Sequence, residues 1–469
     1  MPDFEAVIGL EIHVQLKTRT KMFCRCENGG GDEPNTRTCP VCLAHPGTLP
    51  VPNRQAIEWT IKLGLALGCE VAPRAIFHRK HYVYPDLAKS YQISQYDEPL
   101  CMGGTFVVPG ADGDREIGIV RAHLEEDAAK TIHVGGVAGR IAGADYSLVD
   151  FNRGGVPLVE IVTEPDVRSP DEARRFLQLL RQTVVELGIS DAEMEKGSLR
   201  CDANVSVREA GETGFRTKTE LKNMNSFKFV ADGIAAELER QTSIYERGGE
   251  VVQQTLHYDP SSGEVAPLRS KEYADDYRYF PEPDLVPVEP ARELVERLRE
   301  EIPEPPGGRI RRLEPDVGFS LAAELVSAGR DPLLAPITAH GVEPKAAANF
   351  LMNDYTGDGT AAPDTALIAE TIKKRRELPP DVYRQAAEAA SVGNATAVAE
   401  LLEQTAITDT GELDRLIDEV VAENESQVAA YRGGKQGVLG FLVGQVMKKT
   451  QGKADPRRVN ELLRERLDT

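Results

Sequence analysis

The chain has 469 residues, 41% hydrophobic and 28% charged, with a formal net charge of −20. That length predicts two or three globular domains, and the acidic balance excludes a protein that coats nucleic acid nonspecifically. Apolar runs shorter than the about 20 residues of a membrane span, no basic-then-apolar N-terminal segment and seven cysteines with two close pairs exclude membrane and disulfide-stapled secreted classes, so the cytoplasm is the expected compartment.

The first element is VIGLEIHVQL, residues 7 to 16. Ile8, Leu10, Ile12, Val14 and Leu16 share one parity, which predicts a half-buried β-strand over Phe4–Leu16. Its other face carries Glu11 and His13. Same-face neighbours two apart sit about 6.5 Å from each other, so both can reach one ion, although polar strand faces are usually wet.

Next comes CRCENGGGDEPNTRTCPVC, with Cys24-x-Cys26, twelve residues, then Cys39-x-x-Cys42. Two tight pairs across a glycine-rich loop have the spacing of a structural four-thiolate zinc site, with reduced surface thiols as the alternative. HRKHYVYPDLAKSYQISQYD (His78 to Asp97) follows, a polar, aromatic, loop-like region containing Lys80. It lines a nucleotide pocket or is ordinary surface; spacing does not decide.

Further strands are expected at Gly104–Val108, Glu116–Leu124, Tyr146–Asn152, Pro157–Val162, Leu199–Val207 and Lys218–Leu221. RAHLEEDAAK adds His123, Glu125, Glu126 and Asp127 to the acidic set. Glu160 lies inside the apolar run Leu158–Val162, where a lone carboxylate is costly without a partner. Carboxylates gathered this way bind Mg²⁺ together with substrate phosphates, and nearby imidazole also admits Mn²⁺. SLRCDANVSVR places Arg200, Asp202 and Asn204 on one strand face. The clearest helix is SPDEARRFLQLLRQTVVELG, with Ser169 as N-cap, Pro170 at the first position, Glu172 completing a capping box and Gly188 closing it. Irregular strands among a few helices predict an α+β fold with a largely antiparallel sheet.

Seven prolines between Pro281 and Pro306 mark a domain junction near Pro290, beyond which the sequence is helical. A last helical unit runs from Ala406 to Thr469. From Tyr431 onward nine basic residues face four acidic ones, a net of +5, so the first 430 residues carry −25. Any polyanion is therefore expected at the tail. There Gly433, Gly434, Lys435, Lys448 and Lys449 allow close backbone approach and phosphate contact, or a small-residue packing face with a solvated basic end. The G-x-x-x-x-G-K-[ST] loop is absent, so any ATP site must use metal and cations on a sheet.

Taken together, VIGLEIHVQL, HYVYPDLAKSYQISQYD, HLEEDAAK, SLVDFNRGGVPLVEIVTEPD, GSLRCDANVS, ELKNMNSF, DYRYFPEPD and GFLVGQVMK run the length of the chain. In these motifs it resembles the B subunit of the aspartyl/glutamyl-tRNA amidotransferases. The resemblance implies a cradle domain related to glutamine synthetase (1–290), a helical domain (291–405) and a tRNA-binding tail (406–469). It implies ATP-dependent conversion of misacylated Glu-tRNA(Gln) or Asp-tRNA(Asn) to the amide form, with the side-chain carboxylate phosphorylated and then displaced by ammonia. A separate amidase, the A subunit, would make that ammonia from glutamine, and a small C subunit would complete a heterotrimer. The chain lacks the amidase's Gly/Ser-rich nucleophile segment.

Carried over by motif, Glu11, His13, Glu125, Glu126 and Glu160 would hold Mg²⁺ or Mn²⁺, and Lys80 would contact phosphate. Arg200, Asp202 and Asn204 would belong to the ATP and substrate pocket, and Cys24, Cys26, Cys39 and Cys42 to a structural Zn²⁺ site. Two readings of other classes compete: a tRNA-binding scaffold without chemistry, and a free-standing carboxylate–ammonia ligase, which has no need of a basic tail.

Overall fold

A computed structural model describes residues 4–29, 33–135, 143–268, 277–357, 362–404, 410–450, 454 and 456–467. The expected boundary at 405/406, the first residue of DYRYFPEPD (Asp276) and part of the glycine-rich loop between the cysteine pairs (30–32) lie outside the described residues. The chain divides into two compact units, Met1–Arg309 and Ile310–Thr469.

In the first unit the strands run β1 Phe4–Gln15, β2 Glu70–Val71, β3 His78–His81, β4 Tyr91–Ser94 and β5 Cys101–Met102. They continue with β6 Thr105–Gly110, β7 Gly113–Glu126, β8 Lys130–Val134, β9 Tyr146–Asp150 and β10 Pro157–Thr163. The last five are β11 Leu199–Glu209, β12 Thr219–Met224, β13 Thr255–Asp259, β14 Glu264–Pro267 and β15 Phe280–Pro281. Helices α1 Arg54–Ala66, α2 Pro170–Glu186, α3 Phe227–Glu246 and α4 Arg292–Glu300 are interspersed.

Ten strands form one sheet in the order β14-β13-β12-β11-β1-β10-β7-β5-β2, with β6 paired to β7 off that path. Every pairing is antiparallel except β12 with β13. This is the α+β class the strand pattern predicts. Strand β1 is central because its even-numbered residues are apolar: Ile8, Leu10, Ile12 and Val14 are all buried. Its neighbours bury Val159 and Ile161 from β10 and Cys201, Ala203 and Val205 from β11. Helix α3 packs there, with Gln241 Nε2 donating to the Val205 carbonyl at 3.0 Å. On α2, Phe176 meets Phe106 of β6 edge to face at 5.4 Å.

The start of α2 is encoded as its sequence predicts. Ser169 Oγ accepts from Glu172 N–H at 3.1 Å, with Pro170 at the first position. Glu172 reaches back one residue further than in the usual box, accepting from Arg168 N–H at 2.8 Å. Gly188, at φ +71°, ends the helix in the left-handed region.

Two features depart from expectation. His78–Asp97 is not a loop: β3 and β4 pair antiparallel (Lys80 opposite Gln92) and β15 adds a third strand. These strands are four residues long or shorter, too brief for a period to show in sequence. Secondly, the first unit does not end at Pro290. Helix α4 remains part of it, and Lys62 of α1 reaches Glu301 just after α4 at 2.9 Å.

Helix α5, Pro306–Val317, contains the division between the units. The second unit is helical: α6 Phe319–Ser327, α7 Leu334–Thr338, α8 Pro344–Asn353, α9 Thr365–Lys373, α10 Pro380–Ser391 and α11 Ala395–Leu402. At its end, α12 Thr410–Glu423, α13 Glu425–Arg432, α14 Leu439–Lys449 and α15 Pro456–Leu467 share a core that includes Ile417, Val420, Leu442, Val446 and Leu463. Among the described residues no helix is long and apolar enough to cross a membrane.

Candidate active site

The face of the sheet opposite the apolar core is polar, because residues directly across an antiparallel pair share a face. His13 lies opposite Arg200 of β11 on one side and Glu160 of β10 on the other. Glu160 in turn lies opposite His123 of β7, and Glu11 opposite Asp202. Pairing alone therefore lines up charged and imidazole groups from four consecutive strands.

The side chains converge. His13 Nε2 lies 3.8 Å from Glu11 Oε1 and 3.5 Å from Glu160 Oε2. His123 Nε2 lies 3.3 Å from Glu125 Oε1 and 3.8 Å from Glu160 Oε2. Two donor groups result, Glu11–His13–Glu160 and His123–Glu125–Glu160, each with its ligand atoms within 4.8 Å of one another. Glu160 belongs to both. Arg121 approaches its other oxygen at 3.6 Å and donates to His123 Nδ1 at 3.3 Å.

Electrostatics keep the two buried carboxylates, Glu125 and Glu160, charged. Burial alone would push the Glu125 carboxyl up, but the Lys80 ammonium and His123 hold it well below the usual carboxylate range. For Glu160 the same burial cost is outweighed by His123 and His13. His13 is raised, since the hydrogen bond and field of Glu160 overcome the burial that would lower it. Glu11 is pushed up by burial and by Glu160. Ser94 Oγ at 2.7 Å and Gln92 Nε2 at 3.0 Å donate to Glu125, so strand β4 fixes that carboxylate.

Cations flank the acidic row. Lys80, on β3, keeps its charge against the cost of burial because Glu125 and Glu160 face it. At the opposite end Lys222 of β12 pairs with Asp202 at 3.6 Å and Glu220 at 3.2 Å. Arg200 donates to Asp127 at 2.7 Å, and Gln15 Nε2 donates to the same oxygen at 2.6 Å. Asn204, opposite Gly9 and Glu220, is further along the same strand.

Glu126 is not part of the row. The two-residue strand period turns it away from Glu125. There it accepts from Lys89 and from Ile93 N–H, the latter at 3.0 Å. It lines a cavity of about 270 Å³ that also borders Cys24, Cys42, Lys21 and His45. The four cysteines of the N-terminal loops come together, with all four sulfurs within 4.8 Å of one another. Cys39 and Cys42 sulfurs lie 3.9 Å apart, close to the about 3.8 Å edge of a tetrahedron with 2.3 Å zinc–sulfur bonds. The Cys42 thiol is lowered to about 5 by a hydrogen bond from Cys24, with Lys21 assisting.

In the tail, Gly433 and Gly434 (φ +95°) end α13, and Lys435 follows in the link to α14. Lys448 and Lys449 form the last turn of α14. Lys449 is engaged, reaching Glu423 at 2.6 Å and Glu419 at 3.2 Å on α12.

A model of the GatB/GatE catalytic domain matches residues 6–296, and a model of the GatB domain matches residues 385–467. The chain is 47% identical over 480 residues to the B subunit of the aspartyl/glutamyl-tRNA(Asn/Gln) amidotransferase of Moorella thermoacetica, covering 99% of this chain and all of that one. It belongs to this B-subunit family. It is also 46% identical to the Syntrophotalea carbinolica B subunit, over 99% of this chain and 98% of the relative. With the Carboxydothermus hydrogenoformans B subunit it shares 45% identity over its full length.

Sequence reasoning counted His123 in the acidic stretch without assigning it as a ligand, and it left Arg121, Gln92, Ser94 and Lys222 without a role. For His123 the signal was present: His123-Leu-Glu125 repeats the two-residue spacing of Glu11-Ile-His13. Gln92 and Ser94 carried no such signal, because they reach Glu125 only through a β3–β4 hairpin invisible in sequence.

Proposed function

We propose that this chain is the carboxylate-activating component of a heteromeric amidotransferase that acts on Glu-tRNA(Gln), Asp-tRNA(Asn) or both. The reading rests on the full-length likeness to B-subunit relatives and on one observation above all. Glu160, buried on a sheet face, is shared by two carboxylate–imidazole groups.

A free carboxylate resists attack by ammonia. Phosphoryl transfer from ATP solves this: a carboxylate oxygen bonds to the γ-phosphorus as ADP departs. Ammonia then attacks the carbonyl carbon, phosphate leaves with the bonding pair, and the nitrogen loses a proton. Both steps depend on positioning and charge neutralisation more than on covalent chemistry by the protein.

Glu11, His13 and Glu160 on one side, and His123, Glu125 and Glu160 on the other, would hold divalent cations. Carboxylate oxygens with one imidazole in each group fit Mg²⁺ or Mn²⁺. A cation there supplies neutralisation of phosphate charge. Lys80 offers a second positive group beside Glu125 for the transferred phosphate. Asp127 orients Arg200 so that its guanidinium borders the His13 row. Lys222 holds Asp202 beside Glu11. Glu126 stands apart, bound to Lys89, and contributes no ligand in this reading.

Cys24, Cys26, Cys39 and Cys42 would bind one structural Zn²⁺, leaving no open coordination position. Ammonia comes from an amidase partner, the A subunit, and a small C subunit joins the two. The chain works in the cytoplasm as a catalytic cradle, a helical domain and a tail (406–469) that grips tRNA through Gly433, Gly434, Lys435 and Lys448. Lys449 plays a smaller part there because Glu419 and Glu423 already hold it.

The test is amide formation by the assembled enzyme with ATP and glutamine on each charged tRNA. Product on at least one, with ATP turnover that requires the charged tRNA, supports the reading. ATP turnover indifferent to charged tRNA overturns it.

A further inference from the structure

Five tyrosines form a continuous chain of rings beside the acidic row. Tyr84 meets Tyr82 at 6.3 Å between centroids, Tyr82 meets Tyr277 at 5.9 Å, and Tyr277 meets Tyr279 at 6.1 Å. Tyr279 stacks on Tyr96 at 4.3 Å with planes 8° apart. Lys80 joins this chain to the site, with its Nζ 4.9 Å from the Tyr277 centroid. The pairing of β3 with β4 sets Lys80 and Gln92 on one face of the small sheet, and Gln92 holds Glu125.

Packing within the small sheet accounts for Tyr82 and Tyr279, which are half-buried. It does not account for Tyr84, Tyr96 and Tyr277, which remain 60%, 52% and 38% exposed. Open aromatic rings next to a site for a ribonucleic acid substrate are a stacking surface. Every base offers a π-face, and unpaired RNA is recognised chiefly by stacking on aromatic side chains.

We infer that this tyrosine chain is a platform for the unpaired 3′ end of the charged tRNA, stacking its last bases so that the esterified amino acid reaches Glu125 and Glu160. The inference rests on the tRNA-dependent reading given above. In that reading the amino acid is attached at the 3′ terminus, so the final nucleotides must lie beside the acidic row, which Lys80 joins to the tyrosine chain. Phosphate attraction is a poor means of holding them, because the first 430 residues carry −25. Stacking needs no net charge. The platform is open and several rings long, which suits consecutive bases of a strand better than the single adenine of ATP.

The experiment uses the assembled enzyme with Tyr84→Ala, Tyr96→Ala, Tyr84→Phe and Tyr96→Phe. Affinity is measured for uncharged tRNA and for the same tRNA trimmed of its unpaired 3′ nucleotides, alongside KM for ATP in transamidation. Each alanine variant should weaken binding of intact tRNA about tenfold, the scale of one lost base–ring stack. The phenylalanine variants should bind like the parent. Trimmed tRNA should bind the parent and the alanine variants equally weakly. An equal loss on trimmed and intact tRNA overturns the inference, as does unchanged tRNA affinity. A raised KM for ATP with unchanged tRNA affinity also overturns it, assigning the rings to adenine. If the parent binds tRNA and forms no amide, the functional reading fails while the platform stands.

Discussion

His13 and Glu160 face each other across the β1–β10 pair, with Nε2 3.5 Å from Oε2. Glu160 is opposite His123 on its other side, so one carboxylate serves both donor groups. Strand parity then separates two adjacent glutamates. Glu125 points into this set, and Glu126 points toward Lys89. Glu125→Gln should weaken Mn²⁺ binding at least about tenfold, the lower end of the cost of losing even an outer partner of a metal site. Glu126→Gln should leave it within about twofold of the parent. Calorimetric titration with Mn²⁺ decides; equal losses would show that the strand face does not select the ligands.

The four-cysteine cluster makes a separate prediction. The purified protein should contain one zinc per chain, and Cys39→Ser should lose it, since three remaining thiolates no longer close a tetrahedral site. The site holds the two N-terminal cysteine loops together, so the thermal midpoint should fall by several degrees. For a domain of 150–250 residues each kcal/mol is worth about 2–4 °C. Metal analysis and calorimetry check both. Full zinc content in Cys39→Ser would refute the assignment.

Glu237 on α3 is buried and accepts from Thr219 at 2.7 Å, Gln241 at 2.6 Å and Arg240 at 2.7 and 2.8 Å. Glu237→Ala leaves the buried Thr219 hydroxyl with only a 3.5 Å approach to the Val205 carbonyl, while Gln241 keeps that carbonyl at 3.0 Å; a buried donor left unsatisfied costs about 1–3 kcal/mol. Urea melts should show a lower midpoint with an unchanged slope, corresponding to a stability loss of about 1–3 kcal/mol. Glu237→Gln, which keeps an acceptor, should lose less.

Much of this was legible in the residues themselves. Strict parity in β1 fixed which side of Glu11 and His13 faced the core, and Ser169, Pro170 and Gly188 marked both ends of α2. The zinc-type cluster was legible because ligand spacing is local. What stayed hidden was register. Nothing in the order of residues says that Glu160 will sit between His13 and His123, because that depends on pairings between strands far apart in the chain. The adjacency of Glu125 and Glu126 in HLEED suggested a shared role, and only their place on a strand separates them.

In the tail, Lys435 and Lys449 differ in what they already touch. Lys449 is paired with Glu419 and Glu423, whereas Lys435 lies exposed between α13 and α14. Lys435→Ala should weaken tRNA binding more than Lys449→Ala. It should also lower the slope of log affinity against log salt by roughly 0.7 to 0.9, the signature of one lost phosphate contact. Filter binding over a range of salt concentrations measures this. Equal slopes in the parent and Lys435→Ala would remove Lys435 from the interface.

In the proposed function, side-chain activation takes place on the sheet face organised by Glu160. The most direct measurement is amide formation on charged tRNA by the assembled enzyme carrying Glu160→Gln, with ammonium chloride supplied in place of glutamine and glutamine hydrolysis followed in parallel. The predicted result is a loss of amide formation on the order of a hundredfold or more, the scale of one removed charge-stabilising group, with glutamine hydrolysis retained. Amide formation at the parent's rate in Glu160→Gln would rule out activation on that face.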